Sequence, residues 1–312
     1  MSAPIIFALP DHGPLLAREL SESSLAALGS CSFSRFANGE LCVRVADPVR
    51  GRLCAVLGSL APPHEQMLSV LLLAHTLKRE GARRVVALLA YLGYARQDRA
   101  DPGQSLGAAW AGELLRAAGV DRVLTIDVHS RRAVACFPVP VDSLSAAPLF
   151  ADVLMRRGLA DLSVVAPDEG ALERCEAVIR AARICTPLAH LRKQRDADGV
   201  THSSLVGTIT PRVAIVDDIL DTGATLVSAC AELQRAGARE IIVFATHGLF
   251  TGRRWCELSA LGVQRIYTTD SVPAARERGG EIVEVLPIGR LILEAFTAIA
   301  NEQPERAVTA AG

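Results

Sequence analysis

The sequence predicts an α/β fold with two related domains in tandem, each a mostly parallel sheet flanked by helices. Short apolar strands alternate with Ala- and Leu-rich helical segments along the chain. Near-continuous apolar strands between helices are typical of parallel sheets that are covered on both faces. In addition, a helix end, a glycine and an apolar strand occur twice, half a chain apart, which is the pattern of a duplicated unit.

The predicted strands are short, rich in Val, Ile, Leu and Ala, and bounded by turn-forming or polar residues. In the first half they cover residues 5–8, 42–45, 53–57, 85–90, 122–126 and 139–142, and in the second half residues 163–166, 182–186, 213–216, 241–245, 265–268 and 282–287. Helices are predicted between many of them, including residues 66–80, 106–118 and 224–236. An amphipathic helix is predicted over residues 288–300.

The duplicated segments are residues 77–84 and 233–240, and both contain Leu, Arg, Gly, Ala and Arg in the same order. Each follows a strand, a loop and a helix. We therefore predict an N-terminal domain over residues 1–145 and a C-terminal domain over residues 146–300, with the last helix a candidate to pack back on the first domain. Residues 301–312 are polar or small, which predicts a disordered tail.

The composition excludes several classes of protein. Half of the 312 residues are apolar, 21% are charged and the formal net charge is −1, which argues against binding nucleic acid or anionic membrane over a broad charged surface. No apolar run approaches the roughly 18–20 residues that span a bilayer, and the start lacks the basic region of a signal peptide. The eight cysteines are scattered without a Cys-x-x-Cys pair, so we expect buried thiols in a cytoplasmic protein rather than disulfides or a zinc site.

The most informative segment is an apolar strand that runs into two acids and a short turn before a helix. The strand at residues 213–216 is followed by Asp217 and Asp218, and residues 221–225 read Asp-Thr-Gly-Ala-Thr. Ligands of α/β sheets bind beyond the carboxyl ends of the strands, and the N–H groups of such a turn suit a phosphate. The residues alone leave a second interpretation open, in which Asp221 or Thr222 only caps the helix.

The whole pattern, four apolar residues followed by Asp-Asp-x-x-Asp-Thr-Gly-x-Thr, resembles the phosphoribosyl-binding motif that phosphoribosyltransferases and phosphoribosyl pyrophosphate synthases share. The resemblance implies phosphoribosyltransferase-like domains and a site for ribose 5-phosphate. The implied site contains Asp217, Asp218, Asp221, Thr222, Gly223, Ala224 and Thr225. Members often have a second glycine where this chain has Ala224, a departure that should not block phosphate binding.

Further segments favour the synthases, the ribose-phosphate pyrophosphokinase family. Residues 91–99 resemble its ATP loop, residues 125–130 and 165–170 its metal-binding segments, and residues 191–195 the start of its mobile catalytic loop. Residues 34–40 resemble its adenine-contacting turn, which a neighbouring subunit often supplies. The implied roles are ATP binding by Phe36, Asn38, Glu40, Arg96, Gln97 and Arg99, Mg²⁺ binding by His129 and Asp168, and catalysis by Lys193 and Arg195.

The resemblance implies transfer of the β,γ-pyrophosphoryl group of Mg-ATP to the 1-hydroxyl of ribose 5-phosphate, by a dimer-based homo-oligomer. Charge builds on phosphate oxygens during such a transfer, so positioned cations such as Lys193 and Arg195 suit it. Mg²⁺ prefers oxygen ligands and keeps waters, so one Asp and one His are enough beside the phosphates. The polar segment 192–199 is predicted to be an exposed loop that is mobile without ligands.

Two alternatives remain open at this point. A phosphoribosyltransferase would use the same phosphate loop, but it would not supply the segments of the first half. A catalytically silent regulatory homologue of a synthase would not need to retain His129, Asp168, Lys193 and Arg195. Taken alone, His129 reads more readily as a structural histidine; the ordered occurrence of all segments favours the functional interpretation.

Two departures from the family pattern concern nucleotide choice and regulation. Asn38 stands where members commonly have Asp, which makes the nucleotide preference less secure. Residues 100–106 lack the basic stretch that regulated members use to bind inhibitory ADP and activating phosphate. The chain is therefore more similar to the less regulated classes.

Overall fold

The computed structural model describes residues 3–22, 25–159, 161–196 and 199–302. The strands are β1 (Ile5–Ala8), β2 (Ala27–Leu28), β3 (Cys31–Arg35), β4 (Leu41–Val45), β5 (Leu53–Gly58), β6 (Arg84–Leu89), β7 (Arg122–Ile126), β8 (Val141–Leu144), β9 (Ser163–Ala166), β10 (Leu188–Asp196), β11 (Gly199–Val206), β12 (Arg212–Leu220), β13 (Glu240–Gly248), β14 (Val263–Thr269) and β15 (Val283–Leu286). The α-helices are α1 (Gly13–Glu22), α2 (Glu65–Arg79), α3 (Gly107–Ala117), α4 (Arg131–Ala135), α5 (Ala147–Arg156), α6 (Leu172–Ala182), α7 (Ala224–Arg235), α8 (Pro273–Arg278) and α9 (Gly289–Asn301). This alternation confirms the predicted α/β class.

The strands of the first half form a parallel sheet in the order β2-β1-β5-β6-β7-β8. An antiparallel hairpin of β3 and β4 stands apart from it and packs on α2. The strands of the second half form a sheet in the order β11-β10-β9-β12-β13-β14-β15, which is parallel except for the β10–β11 pair. Each sheet therefore gathers the carboxyl ends of several strands at one edge, where ligands of such folds bind.

The two sheets share one buried core. Leu57 and Val86 on one face of the first sheet belong to the same apolar cluster as Val216 and Phe244 on one face of the second, together with side chains of α1, α5, α6 and α9. Alternate residues of each strand point to the opposite face, which packs under α2 and α3 in the first half and under α7 in the second. The strands are buried on both sides, which explains their near-continuous apolar sequences.

The last helix packs on the first half of the chain. A Cβ atom on Gly289 would lie only 2.0 Å from the backbone oxygen of Leu15, so only glycine allows α9 to approach α1 this closely. Just after α9, Glu302 accepts a hydrogen bond from Arg122 of β7 at 2.5 Å. The predicted tail beyond this point, residues 303–312, lies outside the described residues.

Two sequence-based assignments in the second half are wrong. The predicted strand at residues 182–186 is instead the end of α6 and an irregular segment, and the strand follows at β10. The predicted exposed loop at residues 192–199 is largely a β-hairpin, because β10 pairs antiparallel with β11 from His190 to Asp196. Residues 197 and 198 at its tip lie outside the described part of the chain.

Strand limits also differ from the prediction at the phosphate motif. The strand β12 continues to Leu220, so Asp217 and Asp218 lie within it and not after it. The reason is that β13 pairs with β12 as far as Leu220. Within the described residues, no helix has the length and apolar character needed to cross a bilayer.

Candidate active site

A cleft of about 1750 Å³ lies where the carboxyl ends of β7, β9 and β12 meet. This volume exceeds the roughly 300–1,000 Å³ of a site for one small ligand, so two substrates fit. The predicted site residues that line the cleft are Arg96, Gln97, Arg99, His129, Asp168, Lys193, Asp217 and Asp218. The first four come from the first half of the chain and the others from the second half, so the fold brings together segments that are far apart in sequence.

The segment after β6 forms one wall of the cleft. Gln97 accepts a hydrogen bond from the Ser105 hydroxyl at 2.6 Å, which ties it to the segment that precedes α3. Arg96 reaches the other half of the chain and donates from Nη1 to Oδ2 of Asp221 at 3.0 Å. The guanidinium therefore already touches the phosphate loop, at the boundary between the two predicted substrate sites.

His129 connects the two halves at the floor of the cleft. It follows β7, and its Nδ1 lies 2.7 Å from Oδ2 of Asp218 on β12. A carboxylate oxygen only accepts, so Nδ1 donates the hydrogen to Asp218. Next along the chain, the Ser130 hydroxyl caps α4 by accepting from the N–H of Ala133 at 3.0 Å and donates to Asp98.

The two adjacent acids of β12 share one cation, Arg174, whose side chain is largely buried and lines the cleft. Nη1 of Arg174 lies 3.9 Å from Oδ1 of Asp217 and 3.8 Å from Oδ1 of Asp218. Burial and the charge of Asp218 raise the pKa of Asp217 well above its ordinary value. Burial acts in the same direction on Asp218, but the hydrogen bond from His129 and the charge of Arg174 outweigh it, and the pKa of Asp218 is lowered. The pair therefore favours one carboxylate and one carboxylic acid.

The predicted phosphate loop, residues 221–225, consists of the turn 221–223 between β12 and α7 and the first two residues of α7. Gly223 has a φ of +87°, and a Cβ atom there would lie 2.6 Å from the Cα of Trp255, so both its conformation and its packing require glycine. The Thr222 hydroxyl accepts from the N–H of Ala224 at 3.3 Å. Thr225 lies in the first turn of α7, where backbone N–H groups have no partner within the helix.

The predicted catalytic residues lie on β10. Nζ of Lys193 is 3.2 Å from Oδ2 of Asp168, two residues after the end of β9. Arg195 is on the same strand, opposite Val200 of β11; its side chain lies outside the described part of the chain. The hairpin thus carries Lys193 to the rim of the cleft beside the predicted metal ligand.

The predicted adenine-contacting residues are set apart from the cleft. Phe36, Asn38 and Glu40 lie in the exposed turn between β3 and β4, and among the described residues lining the cleft none comes from this turn. Within the turn, Oδ1 of Asn38 accepts from the N–H of Glu40 at 3.1 Å. Phe36 leaves 61% of its surface exposed.

Sequence reasoning missed Arg174, the largely buried cation beside Asp217 and Asp218. A signal was present, because Ala171, Cys175, Val178 and Ala182 form an apolar helical stripe. Arg174 lies on this stripe, three residues after Ala171 and four before Val178. A charged residue on the buried face of a helix indicates a buried partner of opposite charge.

Comparisons with known proteins agree with this arrangement. Residues 5–119 match the model of the N-terminal domain of ribose phosphate pyrophosphokinase, and residues 192–306 match the phosphoribosyl synthetase-associated domain. The chain is 34% identical over 297 residues to a ribose-phosphate pyrophosphokinase of Haemophilus ducreyi, with 93% of this chain and 94% of the relative covered. It is 34% identical over 291 residues to that of Thermotoga maritima, with 91% of each chain covered.

A solved structure shows the same likeness over nearly the whole chain. The phosphoribosylpyrophosphate synthetase from Mycobacterium smegmatis superposes with a TM-score of 0.84 at 29% sequence identity. The match covers 96% of this chain and 99% of that structure, so both sheets and their order along the chain are common to the two proteins. On this evidence, the chain belongs to the ribose-phosphate pyrophosphokinase family.

Proposed function

We propose that the chain transfers the β,γ-pyrophosphoryl group of Mg-ATP to the 1-hydroxyl of ribose 5-phosphate, giving phosphoribosyl pyrophosphate and AMP. The observation that carries the proposal is the meeting of the phosphate-binding strand β12, the segment after β6 and Lys193 around one cleft. This cleft has room for two substrates, and its residues include both cations for phosphates and carboxylates for sugar hydroxyls.

Ribose 5-phosphate binds, in this proposal, at the end of β12. Residues 221–225 bind the 5-phosphate through backbone N–H groups and the hydroxyls of Thr222 and Thr225, supported by the N-terminus of α7. Asp217 and Asp218 accept hydrogen bonds from the sugar hydroxyls. The charge of Arg174, whose side chain is largely buried, lies beside both acids and stabilises the negative charge of the pair.

ATP binds along the segment after β6. Arg96 and Arg99 hold its phosphates, and Gln97 reaches the ribose or the base. The exposed turn with Phe36, Asn38 and Glu40 lies away from the cleft of its own chain, which supports contact with adenine bound to a neighbouring subunit. The proposal therefore includes a dimer-based homo-oligomer, in which the turn of one subunit completes the nucleotide site of another.

The residues around the cleft fit a Mg²⁺ ion that is held largely by phosphates. Within the described residues, no group of three or more His, Cys, Asp or Glu side chains forms a complete metal site, and Mg²⁺ commonly binds proteins through only one or two side chains. His129 donates Nδ1–H to Asp218, the arrangement that metal-binding histidines usually have. We assign His129 and Asp168 as its protein ligands, and Mg²⁺ would neutralise charge on the phosphate oxygens.

Lys193 and Arg195 stabilise the transferring group in this proposal. Lys193 offers a compact charge and Arg195 a planar guanidinium with several donors. The hairpin of β10 and β11 would close over the substrates and exclude water, which limits hydrolysis of ATP. We further propose that residues 1–145 and 146–300 are the two domains, and that the enzyme acts in the cytoplasm.

The direct test is to incubate the purified protein with Mg-ATP and ribose 5-phosphate and to follow the products by phosphorus NMR. Stoichiometric AMP and a pyrophosphorylated sugar are expected. Release of free orthophosphate or pyrophosphate without that sugar would indicate hydrolysis only. A protein that instead makes a nucleotide from phosphoribosyl pyrophosphate and a base would be a phosphoribosyltransferase, and the proposal would be wrong.

A further inference from the structure

A buried polar network lies beneath the cleft, where the two sheets meet. It consists of Asp127 after β7, Thr246 and His247 on β13, and Thr269 and Ser271 at the end of β14; we call it the inter-sheet network. Its four members from the second half are almost completely buried. Buried hydroxyl and imidazole groups are costly unless they are hydrogen-bonded, so their grouping at this place requires an explanation.

The direction of each hydrogen bond follows from which atoms can donate and which can only accept. Nε2 of His247 lies 3.1 Å from the carbonyl oxygen of Ile126, which only accepts, so Nε2 carries the hydrogen. Burial lowers the pKa of His247, so the ring is neutral and its Nδ1 accepts from the Ser271 hydroxyl at 2.8 Å. The Thr246 hydroxyl donates to Oδ2 of Asp127 at 2.6 Å.

The remaining hydroxyl completes the network without conflict. Thr269 donates to the carbonyl oxygen of Thr246 at 2.6 Å. Each hydroxyl hydrogen and the imidazole hydrogen are thus used once. A fully satisfied network of this kind is rigid and holds one geometry.

The network ends on the turn that leads to His129. Asp127 has a φ of +38°, a left-handed conformation that is uncommon for a residue other than glycine. Oδ2 of Asp127 also accepts from the N–H of Ala146 at 3.2 Å. The second half of the chain therefore holds both the carbonyl of Ile126 and the carboxylate of Asp127, just before His129.

Two neighbouring strands of the second sheet, β12 and β13, hold His129 and the turn before it. Its ring is bonded to Asp218 on β12, while the turn before it is bonded to Thr246 and His247 on β13. The pairing of β13 with β14 shifts register at Thr246, and such irregularities often re-aim side chains near functional sites.

We propose that Thr246 and His247 are positioning residues for pyrophosphoryl transfer, which hold the turn at Ile126 and Asp127 so that His129 faces the cleft. The inference rests on the proposed role of His129 in binding Mg-ATP. It extends that role to residues of the opposite half that do not line the cleft. Loss of a direct hydrogen-bond partner of a metal ligand commonly costs about 10- to 100-fold in metal affinity or activity. Thr246 and His247 contact the residues that precede His129, so we expect losses at the lower end of this range.

The test begins with Thr246→Val, which removes the hydroxyl and nearly preserves the shape. We expect kcat/KM for Mg-ATP to fall about 10-fold, while KM for ribose 5-phosphate stays close to wild type. Thr246→Ser keeps the hydroxyl and should restore most of the activity. The control is Thr210→Val, which removes a similar hydrogen bond, 2.7 Å to the carbonyl of Arg212, at the opposite end of β12, and should leave the kinetics unchanged.

A double-mutant cycle with His129→Ala separates positioning from general destabilisation. If Thr246 acts through His129, Thr246→Val should change the rate of the His129→Ala enzyme by less than about twofold. The inference would be overturned if the loss of kcat/KM in the double mutant equalled the product of the two single losses. Wild-type kinetics of Thr246→Val, or a loss that Thr246→Ser does not repair, would also overturn it. If His129→Ala alone were fully active, the proposed role of His129 would fail instead.

A second variant keeps the test decisive if Thr246→Val does not fold. Ser271→Ala removes the donor to Nδ1 of His247 without touching the turn. We expect a smaller loss of kcat/KM for Mg-ATP in the same direction, again absent in the His129→Ala background. Wild-type kinetics of Ser271→Ala, in a variant with unchanged circular dichroism, would then overturn the inference.

Discussion

Lys193 and Asp168 form an ion pair at the rim of the cleft, with Nζ 3.2 Å from Oδ2. The lysine assigned to catalysis is therefore held beside the aspartate assigned to metal binding. Their side chains are 22% and 34% exposed, and partly exposed pairs of this kind contribute only about 0–1 kcal/mol to stability. Because the ion pair adds little to stability, we attribute its presence to the proposed role of Lys193 in catalysis.

Removing Lys193 should therefore affect turnover more than stability. We expect Lys193→Ala to lower kcat about 10²–10³-fold, the usual loss for one preorganised donor to a transition state, with both KM values nearly unchanged. Arg195→Lys should also be impaired, because an ammonium does not reproduce the guanidinium fork. Steady-state kinetics beside isothermal titration of each substrate provide the measurement.

A matched control exists in the first half of the chain. Lys78 pairs with Asp121 at 2.6 Å, with side chains 29% and 38% exposed, away from the cleft. Lys78→Ala should lose a similar pair with wild-type turnover. Equal losses of kcat in the two variants, or a Lys193→Ala defect confined to substrate binding, would contradict the catalytic assignment.

The phosphate loop should tolerate a change at Ala224 but not at Gly223. Ala224→Gly introduces the residue common in the family and should leave KM for ribose 5-phosphate within about twofold. Gly223→Ala should raise that KM strongly and lower the thermal midpoint. The added methyl group would meet the backbone of Trp255 at 2.6 Å, in a residue with a φ of +87°.

The contribution of the close contact can be separated from that of the backbone conformation. Gly252 also has a positive φ, +69°, but a Cβ atom there would have no neighbour within 4 Å. Gly252→Ala should therefore carry only the conformational cost, about 1 kcal/mol, with an unchanged KM. If Gly223→Ala and Gly252→Ala changed KM and the thermal midpoint equally, the packing of Gly223 on Trp255 would not determine the conformation of the loop.

Contiguous motifs allowed much of the fold and of the candidate site to be predicted. The apolar strands were predicted because burial on both faces forces nearly every residue to be apolar. The phosphate loop was predicted because a turn that binds a phosphate needs small residues in direct succession. Residues that act through tertiary contacts left weaker signals. Arg174 became apparent from the packing of α6 on β12, and Thr246 and His247 from the contacts between the two sheets.

The errors at β10 have a physical cause. Only Leu188, Ala189 and His190 of β10 pair with β9, and the strand then extends as a hairpin with β11 alone. Leu191 is the last residue of β10 in the apolar core, and the polar sequence that follows it resembles a loop. The strand predicted at residues 182–186 was wrong because the end of α6 was not recognised. The helix ends at Ala182 and its C-cap, Arg183, has a left-handed φ of +53°, at a position where glycine usually marks the helix end.

The segment after Arg99 leads us to expect simple regulation. Residues 100–106 lack the basic stretch of regulated members, and Asp101 and Gln104 from this segment line the cleft. ADP should therefore compete with ATP, and phosphate should activate little. Initial rates over a grid of ATP, ADP and phosphate concentrations test this; cooperative ADP inhibition that persists at saturating ATP would refute it.

The stability of the protein should fall between pH 7 and pH 5 because of His12. His12 is 1% exposed, and neither ring nitrogen has a hydrogen-bond partner among the described residues. Burial lowers its pKa to about 4, with a smaller contribution from Arg276 that Asp11 opposes. The folded protein therefore holds a neutral imidazole where the unfolded chain, with a pKa near 6.5, binds a proton.

The direction of this pH dependence follows from the difference in proton binding between the folded and the unfolded protein. Between pH 4 and 6.5 the unfolded chain binds more protons at this position, so the free energy of unfolding rises with pH there and the full contribution is present above 6.5. His12 alone should make the protein about 2 kcal/mol less stable at pH 5 than at pH 7. The free energy of unfolding can be measured in urea at pH 5 and at pH 7. The difference between the two pH values should disappear in His12→Leu and should remain in the control His75→Gln, which changes an exposed histidine. An unchanged pH dependence in His12→Leu would show that His12 is not the group responsible.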